Sequence, residues 1–344
     1  MSVSKLSRPV ILLERGIFMS KNFPLAIENK EYSSSGPGSL GLTAKGIHIH
    51  KRYIEYFGRT VSFLAAALVI ALTLAIIFFI GQKGLATFTV SGVNAWNFLF
   101  QTQWMPDRPM EQGGPLVGSL SFIIGSLLVS LMAVAVSGPL SVIVAVFMVE
   151  IAPGWGQRVL QPAIEILAGI PSVVYGYVGL SLLVPFIRNY MGGEGFSLLA
   201  GFIVLSIMIL PTIISVSSDS LRALPSQWKE ASLALGATRW QTISMVLVPA
   251  ARSGIITGVV LGLARAFGEA LAVQMVIGNT RQIPYSILDP LMTLTSAITM
   301  DMGNTIMGSL WNNALWSMGL LLLMMSFMFI LIIKLVVRRG GMIR

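Results

Sequence analysis

The chain contains no cysteine, which excludes disulfides and thiolate metal sites. Histidine is nearly absent too. His48 and His50 are the only two, and an H-x-H pair in a polar leader lacks the further ligands that a metal site needs. Charged residues make up only 11% of the chain, against roughly one quarter in a soluble domain. There is no G-x-x-x-x-G-K-[ST] loop and not one Gly-Lys dipeptide, so the chain cannot cradle ATP in that way. What it has in quantity is apolar side chain: 55% of its 344 residues are hydrophobic and the mean hydropathy is +0.80. That balance belongs to a polytopic membrane protein.

A bilayer-crossing helix needs roughly 20 apolar residues. Uncharged runs near or above that length cover Val61–Ile80, Gly113–Val149, Ile166–Ile187, Gly195–Ser218 and Met302–Ile333. A further span, Gly254–Gly278, is interrupted only by Arg265 and Glu269. These predict six spans. Gly113–Val149 is long for one helix and short for two plus a turn. Ser137-Gly138-Pro139 lies inside it, and proline removes a backbone donor and clashes with the preceding turn. One span, bent or broken there, is the expected form, with a seventh, half-length helix as the alternative.

Lysine and arginine in short loops set the orientation. With six spans, one side collects Lys51, Arg52, Arg59, Arg158, Arg222, Lys229, Arg239, Arg252, Arg338, Arg339 and Arg344, and the other only Lys83, Arg108, Arg188 and Arg281. Both termini are therefore expected in the cytoplasm. The net charge of +9 follows from this asymmetry and from attraction to anionic lipid, without any need for nucleic-acid binding. Residues 1–55 read as a flexible leader around Ser33-Ser34-Ser35-Gly36-Pro37-Gly38. The first long apolar run begins only at Val61 and is span-length, unlike a cleavable signal. Met19 offers an alternative start, and the leader is given no function. Trp96 and Trp104, in the external loop Gly81–Gly114 with Asp107-Arg108-Pro109, are expected as interfacial anchors or as a docking surface for an external partner.

The polar loop Leu224–Trp240 predicts more than a linker. Pro225 presets φ for a helix start, Ser226–Leu235 can run as a short helix, and Gly236 ends it. A second helical segment from Thr238 to about Leu247 leads into Pro249 and the next span. Such a pair makes a compact knob on which Glu230 and Arg239 can meet a partner's charges. A solvated amphipathic loop is the alternative. Glu230-Ala231-Ser232, then Gly236 thirteen residues before Pro249, then Val246-Leu247-Val248-Pro249, resemble the EAA loop of ABC-importer permeases. In that family the pattern is E-A-A, three residues, G, nine residues and I-x-L-P, so Ser232, Val246 and Val248 are mild departures. The resemblance covers roughly Leu116 to Val337. It implies that this loop docks into a groove on a separate ATPase subunit, with Glu230, Ala231, Ser232, Gly236, Arg239 and Pro249 forming the coupling element.

In the fifth span, small residues recur every fourth position at Gly254, Gly258, Gly262, Ala266 and Ala270, a stripe that lets a neighbouring helix approach closely. Arg265 and Glu269 lie beside it at i, i+4, where their side chains are expected to meet. Arginine at mid-membrane costs about 2.5–3.5 kcal/mol on insertion scales, so the pair should face a partner helix or an aqueous path. Its planar fork suits an oxyanion. A packing ion pair between subunits is the alternative. Ser119, Ser126, Ser130 and Ser137 are spaced 7, 4 and 7, which puts them on one helical face. They are candidates for a polar wall, with Ser126 and Ser130 nearest the path, or for helix packing.

Arg265-Ala266-Phe267-Gly268-Glu269 with Gly278-Asn279 resembles the R-A-x-G-E…G-N pattern of oxyanion permeases. The run Gly268 to Asn279, Ile170-Pro171-Ser172-Val173-Val174-Tyr175-Gly176 and Thr293-Leu294-Thr295-Ser296 are similar to the C-type permeases of phosphate-specific transport systems. Where those have G-E-T-M, this chain has Gly268-Glu269-Ala270-Leu271, which leaves sulfate or molybdate as the alternative anion. The resemblance implies an all-α, type I importer transmembrane domain with about six spanning helices in the bacterial cytoplasmic (inner) membrane. Its partners would be a homologous second permease, two ATP-binding subunits and an external phosphate-binding protein. It implies no cofactor, no metal and no catalytic residue. The expected division is a leader at 1–55, a first span and external loop at 56–115, a permease core at 116–337 with its coupling loop at 219–252, and a basic tail at 338–344. A secondary transporter would show broken midplane helices and no docking loop. An intramembrane enzyme would need a nucleophile–base or metal set, and no span contains His or Cys.

Overall fold

A computed structural model describes the backbone of residues 44–340 and the side chains of residues 56–335. The Ser33–Gly38 stretch, Met19, Arg344 and the side chains of His48 and His50 lie outside the described residues. The chain divides into two units, one ending at Ala66 and one beginning at Ala67. Helix α1, Ala44–Thr89, carries the chain through that boundary, so the last part of the expected leader is helical. Every other element belongs to the second unit.

From Ala67 onward α1 shows exposed Leu68, Ile76 and Phe78, the apolar surface that lipid tails cover. Its lower end is tied down: buried Ser317 donates to the Gly84 carbonyl at 2.5 Å and bonds Thr87 at 2.6 Å. After α1 come a short helix α2, Ala95–Phe100, and an antiparallel pair, β1 Trp104–Met105 and β2 Leu116–Val117. Trp104 is not the interfacial anchor expected. It is buried edge-on against Phe122, with centroids 5.5 Å apart.

The remaining spanning helices are α3, Leu120–Ile151; a bent pair, α4 Pro153–Gly169 and α5 Ser172–Tyr190; α6, Leu198–Arg222; α8, Arg239–Gly268; and α11, Leu310–Gly340. Between them lie α7, Ser226–Ala234; α9, Leu271–Gln274; and α10, Leu294–Asp301. Among the described residues five helices are long and apolar enough to cross a membrane, or six when the bent pair is counted as one span.

Several expected boundaries move, each for a local reason. α3 runs unbroken through Pro139, and the seventh half-length helix does not form among the described residues. Gly138, with no Cβ, relieves the clash that a proline imposes on the residue before it. The third span breaks where Ile170 and Pro171 adopt extended backbone, and its two halves meet at 95°. Ile170 precedes a proline, which disfavours helical geometry there. The sixth starts at Leu310 rather than Met302, after Gly308 turns the chain at φ +83°.

Four wide helical turns, at residues 147–151, 156–160, 179–183 and 242–247, each end two residues before a proline. Those prolines are Pro153, Pro162, Pro185 and Pro249. In each case the residue before the proline donates its N–H five residues back. Widening the turn shifts the carbonyl that the proline ring would otherwise strike. Pro249 is therefore absorbed, and the second half of the loop is continuous with the fifth span.

The core centres on α3, α6 and α8. The small-residue stripe of α8 lies against α6: a Cβ at Gly258 would sit 3.2 Å from Val216 and 3.3 Å from the Ile213 carbonyl. One at Gly262 would sit 2.7 Å from Ile213. Close approach of this kind is how helices gain contact where lipid offers no hydrophobic drive.

Candidate transport and coupling site

α7 buries none of its residues, and Glu230 and Ala231 stand exposed on it. Its end is closed by two bonds, Gly236 N–H to the Leu233 carbonyl at 3.0 Å and Ala237 N–H to the Ser232 carbonyl at 3.2 Å, around Gly236 at φ +83°. α8 then begins with a reciprocal cap. The Gln241 N–H donates to the Thr238 hydroxyl at 3.3 Å, and the Thr238 N–H donates to Gln241 Oε1 at 2.8 Å. Ser232, the residue that departs from the E-A-A pattern, shares a hydrogen bond with Thr242 at 3.0 Å, which closes α7 onto α8. Trp228, Leu235, Trp240 and Met245 are exposed around this knob.

The knob is fastened to the second span by a residue that the sequence reading did not single out. Glu150, buried in the wide turn ending α3, accepts from Lys229 Nζ at 2.6 Å, and its backbone carbonyl accepts from Arg239 at 3.0 Å. Nearby, Arg222 at the end of α6 donates to Gln161 of α4 at 2.9 Å. A lone Glu at the end of an apolar run was the available signal. Its partners lie 79 and 89 positions away, beyond the reach of any local pattern.

Deeper in the bundle, the expected Arg265–Glu269 pairing does not form. α8 ends at Gly268, and Glu269 is extended at φ −77°, ψ 125°. The i, i+4 geometry that would bring the side chains together requires a helix that is no longer there. Arg265 is half-buried and donates to the Thr212 hydroxyl of α6 at 3.0 Å, with no carboxylate partner among the described residues. Glu269 instead accepts the Ala272 N–H at 3.1 Å, capping α9, while its backbone carbonyl accepts from Thr295 at 2.9 Å. A carboxylate at the first turn of a new helix satisfies a donor with no partner in the helix.

Ser126 and Ser130 are both buried on α3. Ser126 accepts the Leu294 N–H at 2.8 Å, so it joins α3 to the start of α10. Thr293 caps α10 by accepting the Ser296 N–H at 3.2 Å. Asn279 sits at φ +52° and returns its amide to the Gln274 carbonyl at 2.8 Å. Thus Glu269, Ser126 and the Thr293–Ser296 stretch converge around α10, while Arg265 reaches across to α6. At the opposite end of α3 from Glu150, Asp301 forms another missed cluster. It accepts from Trp104 Nε1 and Arg281 Nη2, each at 3.4 Å.

An apolar bundle with an exposed helical knob between two of its long helices is the form of a polytopic membrane protein. The family model described as "Binding-protein-dependent transport system inner membrane component" matches residues 137–340, and the chain belongs to that family. It is similar to the probable ABC transporter permease protein YqgH of Bacillus subtilis (strain 168). They are 55% identical over 281 residues, 81% of this chain and 90% of that protein. It is also similar to the phosphate transport system permease protein PstC of Haemophilus influenzae, 35% identical over 263 residues, 71% of this chain and 81% of that one. Among solved structures, an inward-facing form of the MetNI methionine ABC transporter matches with 20% identity and a TM-score of 0.48, over 62% of this chain and 90% of that one. The chain is accordingly a multi-pass inner-membrane permease subunit of an ABC transporter, a transport subunit rather than an enzyme. Membership implies association with ATPase subunits and with the bilayer.

Proposed function

We propose that this chain is the permease subunit of an ATP-driven phosphate importer, forming half of the translocation path beside a homologous permease. The observation that carries the reading is Arg265. Half-buried in the bundle, it holds among the described residues a single hydrogen bond, to a neutral hydroxyl, and faces no carboxylate, so most of its fork is available to a passing oxyanion. The similarity to PstC supports phosphate as that anion. Glu269 acts on the path indirectly, by ending α8 one turn beyond Arg265 and fixing α9 behind it. Ser126 and Ser130 support the path from α3, Ser126 by anchoring α10.

The two ATP-binding subunits would dock at the knob formed by Glu230, Ala231, Ser232, Gly236 and Arg239, with Pro249 where it joins the span. The external phosphate-binding protein would deliver its anion from the opposite side. Both termini and the knob are cytoplasmic in this reading. It is supported by the lysine and arginine asymmetry and by the gathering of Glu150, Lys229, Arg239 and Arg222 at one end of the bundle. The test is labelled phosphate uptake by proteoliposomes holding the whole complex and its binding protein, with unlabelled sulfate and molybdate as competitors. ATP-dependent uptake that phosphate alone competes away is the expected result. Uptake competed by sulfate or molybdate instead would replace the anion.

A further inference from the structure

α7 has an attachment problem. It buries no residue, so the apolar packing that normally fixes a helix is missing. Yet an element that receives force from another subunit must be held firmly to whatever it is meant to move. Polar contacts are what remain: Ser232 ties α7 to Thr242 of α8, and the contacts that reach the second span converge on one of its residues. Glu150 takes Lys229 of α7 on its carboxylate at 2.6 Å and Arg239 of α8 on its backbone carbonyl at 3.0 Å. Its own side chain is only 10% exposed, against 38% for Lys229. Burial of the carboxylate raises the cost of leaving it unpaired, so the contact is favoured over a solvent-separated arrangement.

Glu150 also sits where the second span can be steered. It lies in the wide turn that ends α3, closed by the Ala152 N–H on the Phe147 carbonyl at 2.9 Å. Arg239 begins the helix that continues without a break to Arg265. A displacement of the knob therefore has two outlets: along α8 by covalent continuity, and into α3 through Glu150.

We infer that Glu150 is a positioning residue that latches the coupling helix to the second span, so that movement of the knob drives α3 together with α8. This rests on the reading of the knob as the motor's contact. Glu150 touches neither anion nor ATP. It acts through Lys229 and Arg239.

The test uses the whole complex in proteoliposomes and reads anion uptake per ATP hydrolysed. Glu150→Gln keeps the shape and removes the charge, and Lys229→Met removes the other half of the pair. Each is expected to lower uptake per ATP by about tenfold while hydrolysis persists, within the usual range of coupling energies. The double variant should lose no more than either single one, and Lys229→Arg should retain coupling. Parallel loss of assembly and hydrolysis in all four variants would mean a purely structural role and overturn the latch. So would additive losses, or wild-type uptake per ATP in Glu150→Gln. A second reading does not depend on which anion is carried. Because the chain has no native cysteine, spin labels at Gln227→Cys and Ile151→Cys report the distance between α7 and the end of α3. With Glu150 intact that distance should stay constant through the ATP cycle, and in Glu150→Gln it should broaden. A change on adding ATP to the protein with Glu150 intact would overturn the latch, even where phosphate uptake is normal. Failure of phosphate uptake with a constant label distance would overturn the proposed anion and leave the latch standing.

Discussion

Replacing Gly236 separates what the loop needs for its own shape from what its partner needs. Gly236 sits at φ +83°, and a Cβ built there would meet nothing within 4 Å. Within this chain, then, the cost of a Cβ is backbone strain alone. For an L-residue in the left-handed region that is about 1–2 kcal/mol. An energy of this size shifts the turn's conformational equilibrium by about 5–30-fold, enough to misdirect the knob and far too little to unfold the bundle. Asparagine tolerates this region better than alanine, so Gly236→Asn should behave most like the wild type and Gly236→Ala should lose part of its coupling. Gly236→Leu carries the same backbone strain as alanine and extends its bulk from a Cβ position that meets nothing within 4 Å. Any further loss therefore reports contact with another subunit. The assay is ATP hydrolysis and labelled phosphate uptake by the reconstituted complex, with a pull-down to confirm assembly. Normal uptake by an assembled Gly236→Leu complex would refute the coupling role of the turn. Equal losses for alanine and leucine would remove the docking argument and leave only the strain.

Other outcomes follow from the same geometry. Reporters placed after Arg344 and near Lys229 should both read cytoplasm, and reporters within residues 81–114 or near Asp289 the outside; opposite placement of the first two would end the six-span orientation. Arg265→Lys should lower phosphate uptake because charge survives but the fork does not, and Arg265→Ala should lower it further. Since the Arg265 and Glu269 side chains do not meet, Glu269→Ala should worsen Arg265→Ala rather than rescue it; a double variant with restored uptake would return the pair to a packing role. Arg281→Met leaves the Asp301 carboxylate, 10% exposed, without its cation and should cost about 1–3 kcal/mol, read as a lowered melting temperature of the detergent-solubilised chain. Arg281→Lys should recover most of that loss, and an unchanged melting temperature in Arg281→Met would show that the cluster contributes nothing to stability.

Much of the architecture could be read from local pattern. The apolar runs located the spans, because crossing a bilayer sets a length that a sequence either meets or does not. The small-residue stripe of α8 anticipated a close neighbour, and that neighbour is α6. The turn at Gly236 was legible because only one kind of residue enters the left-handed region without strain. The errors cluster where helices end. The third span breaks at Ile170-Pro171 and the helix also stops before Pro153, whereas Pro162, Pro185 and Pro249 are absorbed by wide turns. Proline alone does not say which will happen: Pro139 and Pro211 lie inside continuous helices with no wide turn before them.

The site divides in the same way. Membrane class, span positions and the helix–Gly236–helix form of the loop are set by composition, periodicity and spacing, which act over a few residues and need no partner. The separation of Arg265 from Glu269 is decided elsewhere, by Thr212 of α6 drawing one side chain and by α9 and Thr295 of α10 holding the other residue. Glu150 is likewise only an acidic residue at the end of an apolar run until folding brings Lys229 and Arg239 to it from 79 and 89 positions away. A hydrogen bond acts at about 3 Å through space whatever the distance along the chain, so such partnerships exist only once the helices have packed.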